Sequence, residues 1–284
     1  MVKRQPRQRS CVPNERSTAD QEMSASGSLI HPTAVVDPAA RIAADVIIGP
    51  YSVIGSEVEI DSNSWIGSHV VLSGSIRMGA NNRVFPFASL GSDPQDKKYK
   101  GEATCLEIGC NNTIREYVTI NRGTVQDMGV THLGDDNWIM ACVHIAHDCR
   151  IGNHAVLANN TTLAGHVHIG DYATLGGASL IHQYCRIGEH AFTAYGARIN
   201  KDVPPFVMVC EGRARPRGLN VEGLKRRGFA EHRIRILKEA YRILYRSELS
   251  LDQAIVQLKQ IESESDDVLR LRRFVEACER SIVR

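Results

Sequence analysis

One small group of side chains in this sequence has the types and the spacing that proton-transfer chemistry requires. His147 is followed directly by Asp148, and Gly165 and His166 lie 18 positions after them. An imidazole beside a carboxylate can act as a general base near neutral pH. A glycine leaves its backbone N–H uncovered, so that it can donate to an oxyanion. The expected chemistry is removal of a proton from a hydroxyl, followed by attack of that oxygen on an activated acyl carbon.

The spacing of 18 matters because an aliphatic residue returns at every sixth position through most of the chain. No α-helix has a period of six, and a simple strand has a period of two. A hexapeptide repeat is typical of a parallel β-helix in which three short strands form one coil, and residues 18 apart then stack at about 4.8 Å. The repeated positions are Ile30, Val36, Ile42, Ile48, Ile54, Ile60, Ile66, Leu72, Met78, Val84, Leu90, Ile108, Ile114, Ile120, Leu133, Ile139, Ile145, Ile151, Leu157, Leu163, Ile169, Leu175, Ile181, Ile187, Thr193 and Ile199.

Position within the hexad predicts the direction of each side chain. The repeated residue and the residue four positions later face the interior, and the remaining residues largely face outward. Four histidines are at outward positions and are therefore not core residues: His144, His147, His166 and His182. Cys149 follows Asp148 but is at an inward position, so no nucleophile is required in this patch. We expect direct acyl transfer without a covalent enzyme intermediate.

A metal is the competing chemistry for the same histidines. Hexapeptide carbonic anhydrases bind zinc through three histidines on this kind of solenoid. The rings of His144, His147 and His166 could approach one ion, and catalytic zinc takes three protein ligands and leaves a position open. A zinc enzyme would leave the basic helical region of this chain without a role.

The repeat divides the chain into three parts. Residues 1–29 are predicted to be a disordered N-terminal extension, residues 30–205 a β-helical acyltransferase domain, and residues 206–284 a C-terminal α-helical domain with a capping box at Ser250 and Gln253. Two polar inserts interrupt the repeat, at residues 91–107 and 121–132. Inserts in a solenoid project as loops on one face and often carry function.

Composition excludes several classes of protein. The 284 residues carry a formal charge of +2 and contain no apolar run near the ~18 residues of a membrane span. None of the eight cysteines forms a C-x-x-C pair. Cys149 and Cys185 are predicted to be buried packing thiols of a reducing compartment. We therefore expect a cytoplasmic protein without membrane insertion.

The helical region is strongly basic. From Arg213 to Arg246 there are eleven lysines and arginines against three acidic residues. The cluster Lys225–Arg227 lies near the predicted domain junction, which favours anion binding over a merely solvated helix face. Nucleic acid is not expected, because no aromatic side chains interleave with this cluster to stack bases.

Several stretches resemble the acyl-carrier-protein-dependent UDP-N-acetylglucosamine O-acyltransferases of lipid A synthesis. They read HIAHD from His144, LANN from Leu157, LAGHV from Leu163, HQ from His182, DVPP from Asp202 and NVEGLKRRGF from Asn220. The likeness covers roughly residues 29–284, and the helical segment is its most specific part. It implies a left-handed β-helix assembled as a homotrimer, with sites in grooves between subunits.

The resemblance also implies a reaction. An (R)-3-hydroxyacyl group would move from acyl carrier protein to the 3-hydroxyl of the sugar nucleotide, as the first step of lipid A synthesis. His147 matches the general base, Asp148 the aspartate that orients it, and Gly165 the oxyanion donor. No metal and no cofactor are expected beyond the phosphopantetheine on which the carrier delivers the acyl group.

The substrate-binding residues are likewise implied by the resemblance. Gln95, Asp96 and Lys98 in the first insert match a substrate-contacting loop. The residues that match the lining of the sugar and acyl groove are His144, His166, His182 and Gln183. The residues that match the holders of uridine diphosphate are Asn220, Glu222, Arg226 and Arg227. Guanidinium groups form forked hydrogen bonds with phosphate oxygens, in agreement with the last assignment.

Two positions depart from the family pattern at the far end of the groove. Tyr195 stands where members that accept long chains have a small glycine, and Arg213 replaces a smaller ring-bearing residue. A bulky phenol would shorten the pocket, so we expect preference for an acyl chain of about ten or twelve carbons over about fourteen.

Other activities remain open on sequence alone. One is a different hexapeptide acyltransferase, which would acylate the amino group of a UDP-amino sugar or use coenzyme A. The N-acyl enzyme usually carries an additional sugar-nucleotide domain, for which residues 1–29 are too short. A non-catalytic scaffold that captures an acidic partner is a further alternative.

Overall fold

The computed structural model of the chain describes residues 29–210, 212–279 and 281–284. The predicted disordered extension, residues 1–29, lies outside the described residues except for Leu29. From there the chain winds as the predicted left-handed parallel β-helix with three sheets. Equivalent residues on successive coils pair in register, as Thr162 does with His144 and Leu180.

Three sheets, here called I, II and III, form the walls of a triangular prism. The strands of sheet I are Val35–Val36, Val53–Ile54, Val71–Leu72, Ser89–Ser92, Thr119–Asn121, His144–Ile145, Thr162–Leu163, Leu180–Ile181, Ala197–Ile199 and Gly212–Arg213. Those of sheet II are Arg41–Ile42, Val58–Ile60, Ser75–Met78, Cys105–Ile108, Val130–Leu133, Arg150–Ile151, His168–Ile169 and Arg186–Ile187. Those of sheet III are Ile47–Ile48, Trp65–Ile66, Arg83–Val84, Thr113–Ile114, Trp138–Ile139, Val156–Leu157, Thr174–Leu175, Phe192–Thr193, Val207–Val209 and Pro216–Leu219.

The repeated aliphatic residues fill the interior of the prism. Ile66, Ile139 and Leu157 are completely buried, as are most other repeated positions from Ile48 onward. The inward position four residues later takes small or β-branched side chains, including Cys149 and Cys185, which are fully buried free thiols. Burial on this scale is the main source of stability of the solenoid.

The corners of the prism depend on left-handed backbone. Three residues after many repeated positions, a non-glycine residue has φ near 60°, as at Tyr51, Asn111, Asp148 and His166. Asparagine and aspartate tolerate this conformation, while aromatic residues there are strained unless their surroundings hold them. At all three corners rings stack on the ring one coil away, with centroids 4.3 Å apart for His166 and Tyr184. Stacking between coils helps to stabilise these turns.

Buried asparagines form a second ladder inside the prism. The Oδ1 of Asn82 accepts from the backbone and side-chain amides of Asn112 at 3.0 and 3.1 Å. The Oδ1 of Asn112 accepts in the same way from Asn137. The side-chain oxygen of each asparagine therefore accepts hydrogen bonds from the next coil, and no buried side-chain polar atom of these asparagines is left unpaired.

Both inserts leave the prism at the corner between sheets I and II. The structure extends strands into them, so that the loops proper are residues 93–104 and 122–129. Ser92 pairs with Asn121, and Cys105 pairs with Val130 across the two inserts. The two loops therefore stack on one another at a single corner.

Beyond Pro205 the chain forms three more strands before it becomes helical. The last strand, Pro216–Leu219, is antiparallel to Val207–Val209. The helices are α1 (Val221–Arg226), α2 (Glu231–Arg246), α3 (Leu251–Ile261), a 3₁₀ turn (Glu262–Glu264) and α4 (Asp266–Glu276). The predicted domain boundary at residues 205 and 206 stays a prediction.

The helical part has its own core. Leu224, Leu237, Leu244, Leu258 and Leu271 are buried together. The capping box at Ser250 and Gln253 is present. The last helix, α4, ends at Glu276, and the Val283 N–H donates to the Asp202 carbonyl oxygen at 2.9 Å. Among the described residues, no helix is long and apolar enough to cross a membrane.

The interior of the prism should tolerate a lost side chain poorly. Ile139→Ala is expected to lower the free energy of unfolding by about 2–5 kcal/mol, because the fully buried side chain leaves a cavity. Val256→Ala, at a 58% exposed position on α3, is the control and should change it by less than about 0.5 kcal/mol. Chemical denaturation measures both, and equal losses would contradict the assigned core.

Candidate active site

His147 and Asp148 occupy the turn that follows the sheet I strand His144–Ile145. The imidazole Nδ1 of His147 lies 2.8 Å from Oδ2 of Asp148. An ionised carboxylate only accepts hydrogen bonds, so Nδ1 carries the hydrogen and Nε2 keeps a free lone pair. The pair therefore presents Nε2 as a base, with its tautomer fixed by Asp148.

The second insert closes over Asp148. The backbone N–H of Thr124 donates to Oδ1 at 2.8 Å, and the Thr124 hydroxyl donates to Oδ2 at 2.6 Å. Burial by itself would raise the pKa of Asp148, but the hydrogen bonds from His147 and Thr124 outweigh it and hold the pKa below its ordinary value. Asp148 thus stays ionised although its side chain is fully buried.

Gly165 lies under the ring of His147, one coil further along. A Cβ atom at this position would come within 2.8 Å of Nε2 and 2.6 Å of Cε1 of His147. Only glycine leaves room for the ring there. The Gly165 N–H has no hydrogen-bond acceptor in the described part of the chain, so it can donate to an oxygen atom beside Nε2.

His166 packs against the same pair. Its ring meets that of His147 edge-on, with centroids 5.1 Å apart, and its Nε2 lies 3.8 Å from Oδ2 of Asp148. Its Nδ1 lies 3.3 Å from Oδ2 of Asp127, a carboxylate of the second insert. His166 is therefore oriented by Asp127 on one side and by stacking on Tyr184 on the other.

His144 lies below His147 on sheet I and is half-buried. Its Nδ1 is 2.8 Å from the hydroxyl oxygen of Thr119. Burial, and then the nearby charge of His147, lower the pKa of His144. His144 is thus neutral near pH 7 and can offer one ring nitrogen to a neutral polar group.

His182 and Gln183 lie further along the same wall. The His182 Nδ1 is 3.2 Å from the Gln183 carbonyl oxygen. His182 borders an open cavity of about 400 Å³, whose other lining residues are Leu180, Ile181, Arg198, Ile199, Asn200 and Arg213. This cavity lies two coils beyond His147 and is suited to an apolar chain.

Arg213 lines that cavity, whereas Tyr195 does not. The Tyr195 ring is 71% exposed and lies over Gly177 at the corner between sheets III and I. Arg213 ends the last strand of sheet I, and Tyr195 lies in the corner that leads into the neighbouring strand Ala197–Ile199.

The first insert holds Gln95, Asp96 and Lys98 beside the second. Asp96 caps its own loop by accepting from the Lys98 backbone at 3.0 Å, and the side chains of Gln95 and Lys98 are exposed. Arg122 joins the inserts through the Gly91 carbonyl and through the side chains of Asp93 and Tyr99. This linkage fixes the loop that carries Lys98 relative to Thr124.

The four residues matched to diphosphate binding lie at the two ends of the short helix α1, Asn220 and Glu222 at its start and Arg226 and Arg227 at its end. Asn220 caps the helix, and its Nδ2 donates to the His190 carbonyl at 3.0 Å. The exposed Glu222 contacts Lys225, and Arg226 donates to the Glu222 carbonyl. The Arg227 guanidinium lies 4.6 Å from the centre of the Tyr172 ring.

This cluster is at the corner between sheets II and III, whereas His147 is at the corner between sheets I and II. Tyr172 and His190 support it through a ring stack that continues to Phe206. Burial, and then Arg270 and Arg227, lower the pKa of His190 to about 4. One chain therefore does not bring the predicted diphosphate residues next to the predicted base.

The metal ligand set that the structure assembles differs from the one considered from sequence. Ligand atoms of His147, Asp148 and His166 lie within 4.8 Å of one another, and His144 is not among them. Asp148 already accepts three hydrogen bonds, from Thr124 and His147. This saturation favours a proton relay over metal binding.

Sequence reasoning missed the residues that hold the base. The second insert contains Thr124, Asp127 and Arg122. Because the insert does not follow the hexapeptide repeat, the repeat predicts no spatial neighbour for these residues. The tripeptide Arg122-Gly123-Thr124 matches no motif that would predict these contacts. Their roles follow only from how the insert folds back on the corner.

Two family descriptions match parts of the chain. Residues 202–283 match "Udp N-acetylglucosamine O-acyltransferase; Domain 2", and residues 131–165 match "Bacterial transferase hexapeptide (six repeats)". The first match covers the strands and helices that follow the solenoid. The second covers the coils that carry His147 and Gly165.

Curated relatives extend the likeness over nearly the whole chain. The acyl-[acyl-carrier-protein]–UDP-N-acetylglucosamine O-acyltransferase of Janthinobacterium sp. (strain Marseille) is 55% identical over 261 residues, which cover 90% of this chain and 100% of the relative. The enzyme of the same name from Stenotrophomonas maltophilia (strain K279a) is 51% identical over 263 residues, 92% of this chain and 100% of the relative.

Solved structures agree with the fold. LpxA from Acinetobacter baumannii superposes with a TM-score of 0.88 at 47% identity, over 90% of this chain and 100% of that chain. The UDP-N-acetylglucosamine O-acyltransferase from Moraxella catarrhalis superposes with a TM-score of 0.89 at 43% identity, with the same coverage. The chain therefore belongs to the family of acyl-[acyl-carrier-protein]–UDP-N-acetylglucosamine O-acyltransferases, and it is an acyltransferase.

Proposed function

We propose that this enzyme transfers an (R)-3-hydroxyacyl group from acyl carrier protein to the 3-hydroxyl of UDP-N-acetylglucosamine, the first step of lipid A synthesis. Relatives with 50% or more identity bear the name of this reaction. The observation that carries the mechanism is the His147–Asp148 pair, whose free Nε2 lies beside Gly165.

The reaction begins with proton removal by His147. Nε2 takes the proton of the sugar 3-hydroxyl as that oxygen attacks the thioester carbonyl carbon, and a C–O bond forms. Asp148 stabilises the imidazolium through Nδ1, and Thr124 keeps Asp148 ionised. The Gly165 N–H donates to the oxyanion of the tetrahedral intermediate.

Collapse of the intermediate releases the carrier. The C–S bond breaks, and the His147 imidazolium returns its proton to the phosphopantetheine thiolate. No covalent enzyme intermediate is needed, since burial raises the pKa of the nearby Cys149 thiol to about 12. The acyl chain would lie along sheet I past His182, toward Arg213.

The placement of the predicted diphosphate residues supports a site between subunits. The predicted diphosphate-binding residues lie at a different corner of the prism from His147; they are Asn220, Glu222, Arg226 and Arg227. A groove that binds one whole sugar nucleotide therefore needs both corners. Two copies of the chain, side by side, can supply them. We propose a homotrimer with three such grooves, in the cytoplasm, where the carrier protein delivers the acyl group without a further cofactor.

The central test is a variant without the base. His147→Ala should lower kcat by about 10²–10⁴-fold, because no other group takes the hydroxyl proton. The matched control, His132→Ala, removes a 48% exposed histidine of sheet II and should keep nearly full activity. Mass spectrometry of the product from UDP-N-acetylglucosamine and 3-hydroxyacyl carrier protein gives the readout. Absence of an ester product with the unaltered enzyme, or full activity of His147→Ala, refutes the proposal.

A variant of Thr124 tests whether its hydroxyl group lowers the pKa of the Asp148 carboxylate. Thr124→Val keeps the side-chain shape but removes the hydroxyl donor to Asp148, so the Asp148 pKa should rise toward its ordinary value. Asp148 contributes to stability above its unfolded pKa, and this contribution is lost as pH falls through the folded pKa. The variant should therefore lose the contribution at higher pH than the parent. Carbon-13 NMR titration measures the pKa, and an unchanged value would show that the hydroxyl bond is unimportant.

Tyr195 sets the expected chain length. In competition among hydroxyacyl carrier proteins, the enzyme should prefer a chain of about ten or twelve carbons, and Tyr195→Gly should shift preference toward longer chains, since each buried methylene contributes about 0.8 kcal/mol. Tyr51→Gly, another exposed tyrosine, is the control. Preference of the parent enzyme for the longest chain would refute the role of Tyr195.

A further inference from the structure

A second cluster of cations lies at the far end of the molecule. A cavity of about 440 Å³ separates the end of the solenoid from α2 and the C-terminal residues. We call it the basic cavity, after its five charged lining residues Lys201, Arg213, Arg215, Arg246 and Arg284. The other lining residues are Asn200, Ala214, Pro216, Tyr241, Tyr245 and Val283.

The positive charge of the basic cavity is not neutralised by acidic side chains. No aspartate or glutamate lines it. Within the described ranges, none of its five cations forms an ion pair, whereas Arg233 and Arg272 nearby pair with Asp267 and Glu262. Like charges brought together without counterions repel one another, so an anion that enters the cavity relieves this repulsion.

An unpaired hydroxyl lies in the same wall. The Tyr245 oxygen is buried and has no hydrogen-bond partner. Burial raises the pKa of Tyr245, so the hydroxyl keeps its proton and remains a donor. Buried polar groups in proteins are nearly always paired, and an unpaired one calls for an explanation. Because the oxygen is buried, an oxygen-rich ligand in the basic cavity would accept this hydrogen bond after a rotation of the Tyr245 side chain.

Contacts within the protein hold several side chains of the basic cavity in place. The Arg284 guanidinium donates to the carbonyl oxygens of Leu244 and Leu249, both at 2.9 Å. The Tyr241 and Tyr245 rings pack together with centroids 4.8 Å apart. The cavity is thus a formed recess with anchored side chains, and not only a row of solvated lysines and arginines.

The basic cavity is separate from both parts of the proposed reaction site. Its residues belong to the strand Gly212–Arg213, the end of α2 and the C-terminus, whereas Arg226 and Arg227 belong to α1. It shares only Asn200 and Arg213 with the apolar cavity beside His182.

We propose that the basic cavity binds a small molecule that carries a diphosphate or polyphosphate group. A recess of this volume falls within the usual range for small-ligand sites, about 300–1,000 Å³. Guanidinium groups fork onto phosphate oxygens, and several negative charges on one small group match five cations better than a single carboxylate does. Such a ligand is the proposed occupant, and the site is additional to the nucleotide site of the reaction.

Calorimetric titration of inorganic pyrophosphate into the full-length enzyme tests the proposal. Arg215→Gln combined with Arg246→Gln should weaken binding by at least about tenfold. The matched control combines Arg235→Gln with Arg242→Gln, two exposed α2 arginines outside the cavity, and should change affinity by less than about threefold. Arg226→Gln combined with Arg227→Gln should leave this binding event in place, which separates it from the nucleotide site.

Two further variants keep the test decisive. If the double variant does not fold, Lys201→Gln alone should still weaken binding measurably. Tyr245→Phe should weaken pyrophosphate binding without lowering the melting temperature, since the hydroxyl has no partner in the protein. Absence of pyrophosphate binding other than that lost in the Arg226 and Arg227 variant would overturn the proposal. Equal weakening by the Arg235 and Arg242 control would overturn it as well.

Discussion

Register between coils is the constraint on which this molecule depends. Each coil pairs with the next through parallel strands in which residues 18 apart are neighbours, as in the pairing of His144 with Thr162. A slip of one residue would turn Ile145 and Leu163 outward and bury the polar residues beside them. Because the interior accepts only the repeated aliphatic positions, the column that contains His147 and Gly165 is fixed along with the core.

The reactive pair uses a place where this regular structure is interrupted. Asp148 is at a left-handed corner, and a fully buried carboxylate there would be unstable without donors. The second insert supplies the donors from Thr124 and also brings Asp127 to His166. The solenoid sets where the base lies, and the insert sets its electrostatic environment. Loops of irregular sequence can therefore change the electrostatic environment of the site while the solenoid that carries it stays rigid.

The three corners of the prism carry different chemistry. The corner between sheets I and II holds His147, His166 and both inserts, and the corner between sheets II and III contacts both ends of α1, His190 at Asn220 and Tyr172 at Arg227. Flat walls separate them within one chain. The proposed sugar-nucleotide groove uses both corners, so in that proposal it forms between copies of the chain.

The sequence by itself determined the period, the coil, the direction of most side chains and the proximity of His147, Asp148, Gly165 and His166, since strand pairing repeats any spacing of 18. The family motifs indicated the reaction and the basic residues at the end of α1. Tertiary structure alone decided that Asp148 is buried and accepts from Thr124, that Asp127 contacts His166, that Arg122 joins the two inserts, and that residues near the C-terminus line one cavity with Lys201. The reason is that inserts and the helical region have no repeat, so their contacts depend on how nonlocal surfaces pack, and the order of residues does not encode that packing in any simple spacing.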